Sequence, residues 1–250
     1  MILMMGGTTE SLQIADFLEE SHVDFIISVV SQYGADLALK HHDKVNVAAM
    51  DTNQLVEFIH NNDINLILDA THPFAKVASQ NAMDAVNQTG IKYIRFERQN
   101  TYENDKNIVL MEDIDQVCNA LNKTTGNVYL TTGSNTIGDY IDRLGVDRIH
   151  VRVLPVTRVM EKLTRLNVPA DRIDGMRGPF EKSLNIELLK HANATALVTK
   201  ESGKQGGINE KIEACQDLNI PCYIIKRPKL DYPVEVDNLA DLKTKMEELA

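Results

Sequence analysis

Tryptophan is absent from this chain, aromatic residues make up only 5% of it, and its three cysteines include no C-x-x-C pair. The core must therefore come mainly from Ile, Leu, Val, Ala and Met, as expected for buried parallel strands covered by helices. Cys118, Cys215 and Cys222 fit neither a disulfide framework nor a zinc site, and they point to a reducing cytoplasm. No apolar run approaches membrane-spanning length, and the opening Met1-Ile2-Leu3-Met4-Met5 is too short for the apolar region of a signal peptide. Basic charge is not in excess. The formal net charge of −10 argues against nucleic-acid or anionic-membrane partners, because such binding rests on clustered Lys and Arg. No H-E-x-x-H, G-x-S-x-G or paired-cysteine pattern gives metal hydrolysis or triad chemistry a candidate, and no metal site is expected.

What the 250 residues do contain is a steady alternation of short apolar runs with amphipathic stretches, which predicts βαβ units and mainly parallel sheets. Strands are expected near residues 2–5, 25–30, 45–47, 64–69, 92–96 and 108–110, with helices near 10–20, 51–61, 73–89 and 114–121. Asn122-Lys123-Thr124-Thr125-Gly126 reads as a linker, with high turn content and no apolar period. Beyond it the pattern restarts, with strands near 128–132, 149–154, 173–176, 196–199 and 223–225, a helix ending at Leu144 before Gly145 and another near 208–218. The expectation is an α/β fold of two Rossmann-like domains, residues 1–122 and 127–250, each opening with a strand and a Gly/Thr turn.

Two polar loops carry the chemistry. Asp69-Ala70-Thr71-His72-Pro73-Phe74-Ala75 follows one apolar run, with Thr71 or His72 at a helix cap and Pro73 in the first helical turn, where exposed amides would form an anion site. The alternative makes Asp69 a turn former and His72 a capping side chain. Lys200-Glu201-Ser202-Gly203-Lys204-Gln205-Gly206-Gly207 follows another run and opens a helix at Ile208. Its lysines and glycines suit a carboxylate or phosphate, but it is not G-x-x-x-x-G-K-[ST]; a solvated surface loop is the plainer reading. The first turn, Gly6-Gly7-Thr8-Thr9-Glu10-Ser11, places Gly6, Thr8 and Ser11 at the three positions of a dinucleotide fingerprint of which only the first is glycine. A plain strand-to-helix turn capped by Thr8 or Thr9 is the alternative. Ser31-Gln32-Tyr33 after the second strand offers neither an acid for a ribose hydroxyl nor an Arg for a 2′-phosphate, which tilts the choice toward NADH over NADPH. Thr132-Gly133 is a second candidate turn for the pyrophosphate. The other histidines, His22, His41, His42, His60, His150 and His191, are expected to be solvated.

Taken in order, Gly6 through Glu10, Asp69 through Ala75, Arg95-Phe96-Glu97-Arg98, Thr131-Thr132-Gly133, Arg152-Val153-Leu154-Pro155, Gly178-Pro179-Phe180, Lys200 through Gly207 and Arg227-Pro228 resemble the precorrin-6A reductase family of cobalamin biosynthesis, including its cobalt-precorrin-6A branch. Gln99 stands where the family usually has proline. The resemblance implies two Rossmann-like domains, with a strand exchange between them, and cofactor and tetrapyrrole in a cleft. It implies hydride transfer from NADH or NADPH to the C18=C19 double bond of the macrocycle and protonation of the neighbouring carbon. Ser31 through Gly34 looks more like the cobalt-first branch.

With that reading, the expected cofactor residues are Gly6, Gly7, Thr8, Thr9, Glu10, Ser31, Asp69, Thr132 and Gly133. The expected substrate residues are Thr71, His72, Arg95, Arg98, Lys200, Ser202, Lys204, Gly206, Gly207 and Arg227, with His72 or Lys200 as the proton donor. The partner is a small tetrapyrrole, and the chain is expected to be a monomer or small homo-oligomer. The rival readings are a nicotinamide-dependent reductase or epimerase of another anionic small molecule, and a non-catalytic dinucleotide or tetrapyrrole sensor.

Overall fold

The computed structural model describes residues 1–97, 102, 107–203 and 206–249. Strands and helices alternate as β1 (Ile2–Met5), α1 (Thr9–Glu20), β2 (Phe25–Val29), α2 (Gln32–Ala38), β3 (Val45–Val47), α3 (Thr52–Asn61), β4 (Leu66–Asp69), α4 (Lys76–Thr89) and β5 (Lys92–Phe96). The pattern continues as β6 (Ile108–Met111), α5 (Ile114–Leu121), β7 (Asn127–Leu130), α6 (Ile137–Leu144), β8 (Ile149–Val153), α7 (Thr157–Arg165), β9 (Ile173–Gly175), α8 (Lys182–His191), β10 (Ala194–Lys200), α9 (Ile208–Asp217) and β11 (Cys222–Ile225). It closes with β12 (Glu235–Val236) and α10 (Leu239–Leu249). Of these, α2, α7, α8, β12 and α10 have no counterpart among the expected elements.

Among the described residues the strands form two six-stranded sheets, ordered β12-β5-β4-β1-β2-β3 and β6-β11-β10-β7-β8-β9, and every pairing is parallel. The two orders are the same once β7 to β11 are set against β1 to β5. In each, the chain reverses direction between its first and fourth strands, β1 and β4 or β7 and β10. That is the switch point where open α/β sheets take their ligands, beyond the carboxyl ends of the strands. Central strands such as β1 and β4 are buried along their whole length because helices cover both faces. Local chemistry sets the helix starts: Thr8 and Ser11 form a capping box on α1, and Asp51 and Gln54 form one on α3.

The division of the chain differs from the expected one. One compact unit comprises Met1–Gln99 and Pro228–Ala250, the other Asn100–Arg227. The residues 122–126 are therefore not a linker between domains but a tight connection inside the second unit. Gly126 (φ +96°) accepts from Arg148 Nε through its carbonyl, and Thr195 Oγ1 donates to the Thr125 carbonyl. The physical reason is strand pairing. Cys222 and Lys226 donate their amides to Asn107 and Met111, which binds β6 into the second sheet, while β12 pairs with β5 and Leu242 of α10 is fully buried in the first core. No helix among the described residues is long and apolar enough to cross a membrane.

Candidate active site

In the first unit the turn after β1 is held by its own side chains. Ser11 Oγ accepts from the amides of Gly7 (3.1 Å) and Thr8 (3.2 Å), and Thr8 Oγ1 accepts from the Ser11 amide (3.0 Å) and donates to the Ala70 carbonyl (2.9 Å). Of the four amides that a helix start leaves over, those of Thr9 and Glu10 remain for a ligand. Gly7 has φ +112°, and a Cβ there would meet nothing within 4 Å, so its backbone face is open. The Glu10 carboxylate lies in the same first turn of α1 and disfavours an anion there. Ser31 caps α2, accepting from the Gly34 amide at 3.1 Å.

The end of β4 corrects the sequence reading. Asp69 is 0% exposed and accepts from Thr71 Oγ1 (2.7 Å), Ser79 Oγ (2.6 Å), Tyr93 OH (2.8 Å) and Arg95 Nη1 (2.9 Å). Arg95, 1% exposed, spends Nε and Nη2 on Glu97 Oε2 at 2.9 and 2.7 Å. Burial by itself would raise the Asp69 carboxyl, but the Arg95 charge and the hydrogen bonds from Ser79 and Thr71 outweigh it and hold the group below its ordinary range. Asp69, Thr71 and Arg95 are thus internal supports of the loop, not groups facing a ligand.

The helix after this loop also starts later than expected. It begins at Lys76, not Pro73, and Ala75 caps it without a side-chain bond. The amides of Thr71, Phe74 and Ala75 are spent on Asp69 Oδ1, His72 Nδ1 and the His72 carbonyl, so the amides left over at this corner belong to the first turn of α4, from Lys76 on, and not to these loop positions. His72 itself is exposed. Because its Nδ1 accepts from Phe74, the neutral ring carries its proton on Nε2 and can donate it.

In the second unit the turn after β7 places Thr132 in the interior, 3.4 Å from Thr136 Oγ1, and leaves Gly133 (φ +79°) open, with nothing within 4 Å of an added Cβ. Lys200 ends β10, half-buried, and that burial lowers its pKa. Glu201 ties the neighbouring loops together, accepting from Tyr102 OH (2.6 Å) and the Arg227 amide (2.9 Å), with Arg227 Nε at 3.8 Å. Ser202 packs against Gly206 so closely that a Cβ there would collide with Ser202 Oγ, and Gly207 (φ +64°) caps α9. Arg98 and Lys204 lie outside the described residues.

Beside Gly206 and Gly207 opens a cavity of about 240 Å³ whose polar lining includes Arg152, Asn185, Arg177 and Lys211. Arg152 (8% exposed) donates to Asn185 Oδ1 at 2.8 Å and lies over the Phe180 ring at 4.8 Å. Lys211 (7% exposed) donates to the Gly206 carbonyl at 2.6 Å. Sequence reasoning quoted Arg152 and Phe180 only as family landmarks and passed over Lys211 and Asn185. The sequence carries signals of both: His150 and Arg152 make up one whole face of Ile149–Val153, a strand buried along its length, and Lys211 falls in the apolar stripe Ile208, Ile212, Cys215 of its helix. His150 is not solvated as expected. It is 4% exposed, stacks on Tyr129 and pairs with Asp174 at 3.1 Å.

A family model described as precorrin-6x reductase CbiJ/CobK matches residues 1–247. A cobalt-precorrin-6A reductase of Methanocaldococcus jannaschii is 35% identical over 242 residues, covering 96% of each chain. Another of that name from Priestia megaterium is 32% identical, over 93% of this chain and 92% of its own. A solved structure of CobK precorrin-6A reductase superposes with a TM-score of 0.82 at 24% identity, over 100% of this chain and 97% of that one, and so shares the fold.

Proposed function

The chain belongs to the precorrin-6x reductase CbiJ/CobK family, and on that premise we propose that it reduces one double bond of the cobalt-precorrin-6A macrocycle to give cobalt-precorrin-6B, with NADH as the preferred reductant. The observation that carries this reading is the placement of charge. In a chain of net charge −10, Arg152, Arg177, Lys200, Lys211 and Arg227 gather at the carboxyl edge of the second sheet, around its switch point. A macrocycle bearing acetate and propionate arms needs such localised donors, because the protein's overall field repels it.

The residues fit a nicotinamide dinucleotide. A glycine turn stands at the switch point of each unit with space where a side chain would be, at Gly7 and at Gly133. Gly6 through Glu10 in the first unit, with Ser31, would hold it, and Thr132-Gly133 in the second is the competing turn. When bound, the reduced nicotinamide supplies the hydride. The chain's own residues orient and protonate. Lys200, whose burial favours release of its proton, is the donor for the carbon next to the reduced position, with His72, its proton on Nε2, as the alternative to it. Arg227, anchored through its amide to Glu201, and Ser202 would steer the substrate's arms.

Purified protein incubated anaerobically with cobalt-precorrin-6A and NADH should oxidise the cofactor and change the macrocycle's absorption. No change with either NADH or NADPH would sink the reductase reading. In the same assay Lys200→Ala should raise KM for the tetrapyrrole at least about tenfold, the worth of one charge-assisted hydrogen bond, and leave KM for the nicotinamide nearly unchanged. Equal effects on both would contradict the assignment of Lys200 to substrate.

A further inference from the structure

We propose that the cavity formed by Arg152, Lys211, Asn185, Phe180 and the Gly206-Gly207 corner is a receptor for a single acidic group, a carboxylate or a phosphate, carried by one of the reductase's two ligands. At about 240 Å³ it is smaller than the cavities that enclose whole organic ligands, and it suits one arm of a larger molecule. Its walls hold two cations, each more than nine-tenths buried, that make no ion pair with a carboxylate among the described residues. Burying a charge is costly unless a counter-charge meets it. Among the described residues Arg152 has the neutral Asn185 oxygen and the faces of Phe180 and Tyr129, and Lys211 donates to a backbone carbonyl.

The arrangement is also braced. Asn185 Nδ2 donates to the Phe180 and Glu181 carbonyls, at 3.3 and 3.0 Å, which turns its oxygen toward Arg152 and fixes the guanidinium. The groups that act on Lys211 are Arg152 on β8, Glu210 beside it on α9 and the Cys222 thiol on β11. Burial first and then the Arg152 charge push the Lys211 amine down to about 8. A buried cation so destabilised by its neighbour is what an arriving anion relieves.

The identity of the two ligands rests on the reductase reading, but the chemistry of the cavity does not, and binding can be measured without turnover. Dissociation constants for NADH and for uroporphyrin, a tetrapyrrole bearing carboxylate arms, would be determined for the full chain and for Arg152→Met and Lys211→Met. One ligand should bind at least about tenfold more weakly to both variants, while the other is held as before and the melting temperature does not fall. Loss confined to uroporphyrin assigns the cavity to a carboxylate arm, and loss confined to NADH assigns it to a phosphate. Should a methionine variant fail to fold, Lys211→Arg and Arg152→Lys, which keep the charge, should retain most of the affinity where Lys211→Gln loses it. Folded variants that bind both ligands as the parent does would overturn the proposal. Failure of turnover with normal binding losses would sink the reductase reading alone.

Discussion

Replacing Asp69 with asparagine should destabilise the first unit by about 3–5 kcal/mol, the usual cost of breaking a buried ion pair from one side. The reason is the density of partners: one carboxylate, 0% exposed, receives Thr71, Ser79, Tyr93 and Arg95 together. Asparagine keeps the shape but turns one acceptor into a donor among groups that already donate. Glu97 still holds Nε and Nη2 of Arg95, which places the expected loss toward the lower end of that range. Against a typical total of roughly 5–15 kcal/mol this is severe. Urea unfolding of the parent and Asp69→Asn would measure it, and a loss near zero would mean that the network does not form.

The same group predicts acid sensitivity. Its folded pKa lies below the unfolded value, so the stabilisation is complete above the ordinary aspartate range and is lost as pH falls through the depressed folded value.

Affinity for the ligand that enters the Arg152 cavity should fall about tenfold per pH unit above pH 8, and be flat below it. The sign follows from Lys211, whose amine is pushed down to about 8, first by burial and then by Arg152. Below that pH the amine is already charged and an anion binds without proton exchange. Above it, binding must take up a proton, and the penalty grows until the pH reaches the raised pKa of the complex. Stability of the ligand-free protein should move the other way. Because the folded pKa is below that of a free lysine, the unfolded chain holds more protons between about 8 and 10.4, and stability from this group rises with pH there. Titration calorimetry at pH 7.5 and 9.5, with melting curves at the same pH values, separates this from general alkaline unfolding, which would lower both together. A pH-independent affinity would remove Lys211 from the ligand's surroundings.

Much of the architecture was legible because its causes are local. Apolar runs such as Leu66-Ile67-Leu68 and Leu197-Val198-Thr199 mark strands by composition alone, and both polar loops were found because a strand gave way to turn residues. Residues 122–126 misled for the same reason: Thr-Thr-Gly is turn chemistry wherever it occurs, and nothing local tells a connection within a unit from one between units. The two-residue strand β12 left no pattern to read, yet it decides where the carboxyl-terminal segment belongs.

The site was legible by residue type but not by role. Lys200 and the Gly206-Gly207 corner read as a polar loop after a strand, whereas Arg95 reads as a substrate group and is an internal support in the fold, and Lys211 has no place in that reading. Arg95 and Arg152 look alike in sequence, each a cation inside an apolar strand. What separates them is the strand next door. Register sets Arg95 beside Asp69, and their charges cancel in the core. Register likewise sets Arg152 beside Asp174, but Tyr129 and His150 hold that carboxylate, and Arg152 turns to Asn185 and the cavity.

The sequence by itself determined the α/β alternation, the glycine turns, the two polar loops and the family resemblance, because periodicity and turn preference act over a few residues. Only the tertiary structure decided where the units divide and which cations keep their charge for a ligand. Strand partners and counter-ions are brought together across long stretches of chain, and a Coulomb interaction depends on distance in space, not in sequence.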